Sequence, residues 1–133
     1  MPDSILLIVD AARLARAEQL GLFATLRSKL LEQRIPPEFR DPDGMWFGFS
    51  SRARIIVYDK AAVRAEDVST YEELADPKNK GKVCTRSGSH PYNLSLFGAT
   101  LEHLGPVATE AWLKGLVDNM ARQPVGGDTD QIK

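Results

Sequence analysis

Ile5-Leu6-Leu7-Ile8-Val9-Asp10-Ala11-Ala12-Arg13-Leu14 is the stretch whose reading decides the fold. An unbroken apolar run of strand length, followed by a residue that caps helices, reads as an interior parallel strand feeding a helix. Asp10 supplies the cap, the helix runs from Ala11 to Leu20, and Gly21 closes it at a left-handed position. A strand covered on both faces needs further strands and helices around it, so the expected fold class is α/β. The run begins within five residues of the start. Near the other end, Asp128-Thr129-Asp130-Gln131 has the spacing of a capping box, with Asp128 as N-cap, and two residues follow it. Both ends point to a piece of something larger.

Working outward, Leu26, Leu30 and Leu31 predict a second, shorter helix up to about Arg34. A loop dense in proline, aspartate and glycine runs from Pro36 to Gly44. Trp46-Phe47-Gly48-Phe49 and Arg54-Ile55-Ile56-Val57-Tyr58 are strand-like. The polar stretch from Ala61 to Lys82 holds a short helix, Tyr71 to Ala75, and the breaker Asp76 to Gly81. A boundary between two lobes is expected at that breaker or before it. Val83-Cys84-Thr85 is a short strand, and Ser87-Gly88-Ser89 turns the chain into a helix with the stripe Leu94, Phe97, Leu101 and Leu104. Pro106 opens the next helix, whose inward face is Trp112, Leu113, Leu116, Val117 and Met120.

Composition narrows the function classes. The 133 residues are 43% hydrophobic and 26% charged, the makeup of a folded domain. No apolar run approaches the roughly 20 residues of a spanning helix, so no membrane insertion is expected. Seventeen basic against eighteen acidic residues leave a net charge of −1, with no basic field for a phosphate backbone, so nucleic acid is not an expected partner. A single cysteine, Cys84, and two histidines, His90 and His103, argue against a disulfide and against Cys- or His-rich metal cages. No signal peptide is legible at the N-terminus, which taken literally keeps the chain in the cytoplasm.

Arg86-Ser87-Gly88-Ser89-His90-Pro91-Tyr92, at a strand-to-helix turn, is the most informative stretch for chemistry. Gly88 lets backbone approach a ligand, Ser87 and Ser89 bring hydroxyl donors, and the following helix starts with unpaired N–H groups, which together describe an anion cradle. An ordinary turn uses the same residues. Tyr92 falls in the first helical turn, off the Leu94 and Phe97 stripe, where its phenol either faces the same mouth or simply packs. Arg52 and Arg54, two apart on a strand, share a face and could clamp a carboxylate, carbonate or phosphate; a solvated strand edge explains them equally well. Ser, His and Asp are all present, but no Gly-x-Ser-x-Gly elbow supports a hydrolase triad.

The blocks Ile8 to Leu14, Trp46 to Gly48, Ser51 to Tyr58, Leu74 to Lys78, Pro91 to Leu96, Ala111 to Leu116 and Asp128 to Lys133 resemble, in order and spacing, the bacterial periplasmic ferric-iron-binding proteins that feed ABC importers. The resemblance covers essentially all of this chain and well under half of such a protein. It implies a partial type II periplasmic-binding-protein fold, with 1–60 as part of the N-terminal lobe plus a crossover strand and 61–133 as part of the second lobe. It further implies a periplasmic parent protein, an ABC transporter permease as partner, and Fe³⁺ with a synergistic anion, carbonate or phosphate, as cargo, with no catalysis.

Under that resemblance Tyr92 is the metal ligand, Ser87, Gly88 and Ser89 hold the anion, and Arg52 and Arg54 lie near it. Phenolate is a hard, anionic oxygen donor suited to Fe³⁺. The adjacent tyrosine pair of the family would fall beyond Lys133. Val9 stands where some members have a glutamate, and Asp128 stands where some have an anion-contacting asparagine. The resemblance thus implies an incomplete metal site, leaving the anion alone as ligand of this fragment. A binding protein of the same fold for another small anion or oxyanion is the alternative, and a small α/β hydrolase a remote one. Uncovered strands predict a homo-oligomer.

Overall fold

A computed structural model describes residues 4–132, and its first element starts where the cap was expected. Helix α1 spans Ala11–Gln19, with the Asp10 carboxylate accepting from the Ala12 N–H at 2.9 Å. Gly21, at φ 66°, donates to the Glu18 carbonyl, and Leu22 donates to that of Ala17. This pair of crossed bonds is a Schellman closure, which a residue with a Cβ would strain. Asp10 itself is held at φ 85°, an uncommon conformation for a non-glycine residue. Helix α2, Lys29–Arg34, is capped by the Ser28 hydroxyl. Leu26 lies before it, in a loop, donating to the Gly44 carbonyl.

The expected strands differ most. Among the described residues there is no β-ladder, only two isolated bridges, Arg40 with Phe47 and Val83 with Met120. Residues 5–9 form no strand, with Ile5 91% and Leu7 81% exposed, so the buried interior strand expected there is corrected. Residues 54–58 likewise form no strand, and Ile55 and Val57 are exposed. A strand is stabilised by lateral pairing, and apolar sequence cannot substitute for a neighbour. Residues 46–49 pair back on the preceding loop instead: Gly48 donates to the Phe39 carbonyl and Asp41 to that of Trp46.

The chain divides into two compact units, Met1–Ala53 and Arg54–Lys133. In the first, Ala17 and Ile35 are buried, and the Trp46 indole donates to Glu18 at 3.2 Å. In the second, Val83, Trp112 and Leu116 form the core, with Tyr71, Leu74, Leu96, Phe97 and Leu113 packed around it. The expected helix at Tyr71 to Ala75 is a 3₁₀ turn, Glu72–Ala75, followed by another at Pro77–Asn79.

Helix α3, Pro91–Asp118, is broken at Gly105, whose φ of 78° and ψ of 170° leave helical space just before Pro106. The Thr109 hydroxyl donates to the Thr100 carbonyl, stitching the arm 106–118 to the arm 91–104. The inward face of the first arm is corrected: Leu94 and Leu101 are exposed, while Asn93 is buried and Leu96, Phe97 and Thr100 are half-buried. In the second arm Trp112 and Leu116 are buried as expected, but Val117 is exposed.

Three asparagines explain the polar interior. Asn79, Asn93 and Asn119 are each 2% exposed. The Asn79 amide donates to the Asp67 and Glu73 carbonyls, and that of Asn119 to those of Leu74 and Asp76. The irregular segments lack ladder partners for their carbonyls, and these amides supply them. Helix α4, Asp128–Ile132, also shifts its cap by one: the Asp130 carboxylate accepts from the Gly127 N–H, while the Gln131 amide reaches back to the Val125 carbonyl. Lys133, which ends the last block of the family resemblance, lies outside the described residues. No helix among the described residues is long and apolar enough to cross a membrane.

Candidate functional site

The second unit builds the site on the segment between Val83 and α3. The Val83 N–H donates to the Asn119 carbonyl and the Val83 carbonyl accepts from Ala121, fixing where the segment leaves the core. Asn93, one turn into α3, then gathers the segment from inside. Its amide nitrogen lies within hydrogen-bonding distance of the Arg86 carbonyl at 2.8 Å, the Ser87 carbonyl at 3.2 Å and the Thr85 hydroxyl at 3.2 Å.

The turn Ser87–Ser89 is tight. His90 N–H donates to the Ser87 carbonyl, the Ser89 N–H to the Ser87 hydroxyl, and the two hydroxyls share a 2.8 Å hydrogen bond. Gly88 has no positive φ, and an added Cβ would meet only the Phe97 ring, at 3.7 Å. The turn geometry therefore does not require glycine there. His90 is the N-cap of α3, its Nδ1 accepting from the Tyr92 N–H at 3.2 Å. That acceptor role places the neutral imidazole's proton on Nε2. Tyr92 is half-buried, edge to face with the His90 ring at 4.8 Å.

Arg86 joins the phenol to the charged part of the site. Its guanidinium lies 5.3 Å from the Tyr92 ring centroid, in cation–π range. Arg86 Nη1 also donates to Asp128 Oδ2 at 3.1 Å, and Arg54 Nη2 reaches Asp128 Oδ1 at 3.5 Å. Two guanidiniums thus hold one carboxylate. Tyr71 positions Arg54 from behind, its hydroxyl donating to the Arg54 carbonyl at 2.5 Å.

Of the residues expected from sequence, Ser87, Gly88, Ser89 and Tyr92 stand on one turn and the helix start after it. Arg54 joins the Arg86 and Asp128 cluster next to them. Arg52 is exposed and belongs to the first unit. Sequence reasoning missed Arg86 and the capping role of His90. The signal for Arg86 was its place directly before Ser87; its partner is 42 residues away and not visible locally. Among the described residues no three His, Cys, Asp or Glu side chains gather as a metal cage would. The carboxyls held below their ordinary range lie elsewhere: Asp67 by its hydrogen bond from Arg64, and Glu73 by that from the Ser69 hydroxyl.

Comparison with known proteins identifies the family. The family described as bacterial extracellular solute-binding protein matches residues 1–131. Iron uptake protein A1 of Synechocystis is 53% identical over 132 residues, which are 99% of this chain and 37% of that protein. The apo ferric ion-binding protein A of Pasteurella haemolytica superposes with a TM-score of 0.90 at 44% identity, over 99% of this chain and 42% of its own. The Trichodesmium protein (IdiA, FutA) solved with iron and citrate ligands has a TM-score of 0.86 at 48% identity, over 93% of this chain and 39% of its own. The chain thus spans little more than a third of the length of the curated relative, and it carries part of a type II periplasmic-binding fold. These relatives are transport proteins and not enzymes, which sets the hydrolase alternative aside. With nearly every residue matched, the chain belongs to the family of bacterial extracellular solute-binding proteins.

Proposed function

We propose that this chain contributes part of the ferric-iron site of a periplasmic binding protein that delivers Fe³⁺ to the permease of an ABC importer. The observation that carries the reading is the placement of the Tyr92 phenol at the start of α3, beside the Ser87–Ser89 turn and over Arg86. Tyr92 provides a hard oxygen donor to Fe³⁺. Ser87, Gly88 and Ser89 hold the accompanying anion, carbonate or phosphate, with Arg54 supplying positive charge. The iron and citrate ligands of the Trichodesmium relative support ferric iron as the cargo and an anionic ligand beside it. In the parent fold, residues 1–60 belong to one lobe and its crossover strand, and 61–133 to the other; the extended runs 5–9 and 54–58 take up places in α/β sheets.

One phenolate cannot compete with hydrolysis for a trivalent ion, so the remaining ligands come from parts of the parent beyond this chain. Ferric citrate added to the 133-residue chain is expected to give no intense phenolate-to-iron absorption band. In a protein of the full length of the relatives the band is expected to appear, and Tyr92→Phe to weaken and shift it. An unchanged band in that variant overturns the role of Tyr92.

The Arg54, Asp128 and Arg86 cluster also favours the second reading, a binding protein of the same fold for another small oxyanion, because its two guanidiniums already engage a carboxylate. Phosphate binding by the full-length protein with no iron band would select it.

A further inference from the structure

The cluster of Arg54, Arg86 and Asp128 goes further than the anion reading on which it rests. The Arg86 side chain is 16% exposed and its Nε is buried without a hydrogen-bond partner. Arg54 is 30% exposed, and the Asp128 carboxylate between them is 54% exposed. Two cations therefore face one anion, and the anion is the member most open to solvent. A guanidinium withdrawn from water needs a counter-charge close by, because leaving it unpaired costs more than the pair itself returns. An exposed ion pair at 3.5 Å, by contrast, contributes little and is easily replaced.

We infer that Asp128 sets the affinity of the anion site: its carboxylate is an internal occupant, which an incoming carbonate, phosphate or carboxylate ligand must displace to reach Arg54 and Arg86. Carboxylate and small oxyanions present the same paired oxygens to a guanidinium fork, so one replaces the other without rearranging the arginines. Asp128 sits at the start of α4, a five-residue element, so the side chain can leave while the core of the second unit stays in place. The arginines set that an anion is held, and Asp128 sets how strongly an external one must compete.

The test is equilibrium dialysis of the whole 133-residue chain against inorganic phosphate at low ionic strength, with Asp128→Asn compared to the unsubstituted protein. Asparagine keeps the shape and removes the charge, and affinity is expected to rise about tenfold or more, since a charge-assisted bond is freed for the ligand. Adding Arg86→Gln to Asp128→Asn should remove the gain. Equal binding by both proteins overturns the role of Asp128 and leaves the cradle standing. Binding by neither, with Ser87→Ala and Ser89→Ala without effect, overturns the cradle itself. If Asp128→Asn does not fold, the unsubstituted protein decides: phosphate should move the Asp128 carboxyl carbon and Arg86 Nε NMR signals together, and saturable binding that leaves the Asp128 signal in place refutes displacement.

Discussion

Asn93 donates to the Arg86 carbonyl at 2.8 Å from a position only 2% exposed, so the residue that carries the cation under Tyr92 is held by an amide inside the core. The helix that presents the phenol and the loop that presents the guanidinium are thereby one rigid piece. Asn93→Ala strands the Arg86 and Ser87 carbonyls, and the expected loss is about 1–3 kcal/mol of folding stability. Urea denaturation measures it; a loss below about 0.5 kcal/mol would show that the amide does not hold the loop.

Gly88→Ala separates shape from function. The added methyl meets the Phe97 ring at an ordinary distance and the backbone has no positive φ, so stability should stay within about 0.5 kcal/mol of the parent sequence. If the turn is the anion cradle, phosphate affinity should fall in the same variant, because the added methyl limits how closely the backbone can approach a ligand. Unaltered phosphate binding would remove Gly88 from the site.

Acid should loosen the 64–79 segment first. Asp67 is held below its ordinary range by Arg64, and Glu73 by the Ser69 hydroxyl and the Thr70 N–H. Because both folded values are depressed, their contribution is complete above the unfolded carboxylate range and is lost as pH falls through that range and on through the lower folded values. The Ser69 and Thr70 amides, which donate to Glu73 Oε2 at 2.7 and 3.1 Å, should lose exchange protection in that window. Glu73→Gln should flatten the dependence. Protection that is constant down to pH 2 would contradict the assignment.

Self-association is the expected consequence of the uncovered apolar runs. Ile5, Leu7, Ile55 and Val57 are each more than two-thirds exposed, and unpaired strands recruit others. Sedimentation equilibrium should give a mass above 14.7 kDa that rises with concentration, and Leu7→Lys should lower it. A constant single-chain mass, with no ANS-binding surface, argues against self-association.

What could be read locally was read well. α1 with its Asp10 cap and Gly21 closure, the short α2, and the break of α3 at Gly105 before Pro106 all depend on neighbours within a turn or two. The stripe of α3 misled because it assumes that apolar side chains point inward. Here Asn93 takes the inward position that Leu94 was expected to share, since irregular segments offer carbonyls that only a donor can satisfy. The extended runs were legible as sequence but not as strands, because pairing is a property of two segments. The candidate site divides the same way: the turn at Ser87–Ser89 and the helix start before Tyr92 are continuous in sequence and were legible as turn and helix, whereas Arg86 meets Asp128 through folding alone.

The three buried asparagines also bear on how the molecule ages. Hydrolysis of a side-chain amide turns asparagine into aspartate, exchanging an NH₂ with two donors for an oxygen that only accepts. At Asn79, Asn93 or Asn119 the new carboxylate would face the carbonyl oxygens that the amide now serves, acceptor against acceptor in a site closed to water. Damage at Asn93 should loosen the Arg86–Ser87 segment, and a preparation that has lost phosphate binding while keeping its helices should carry that extra negative charge.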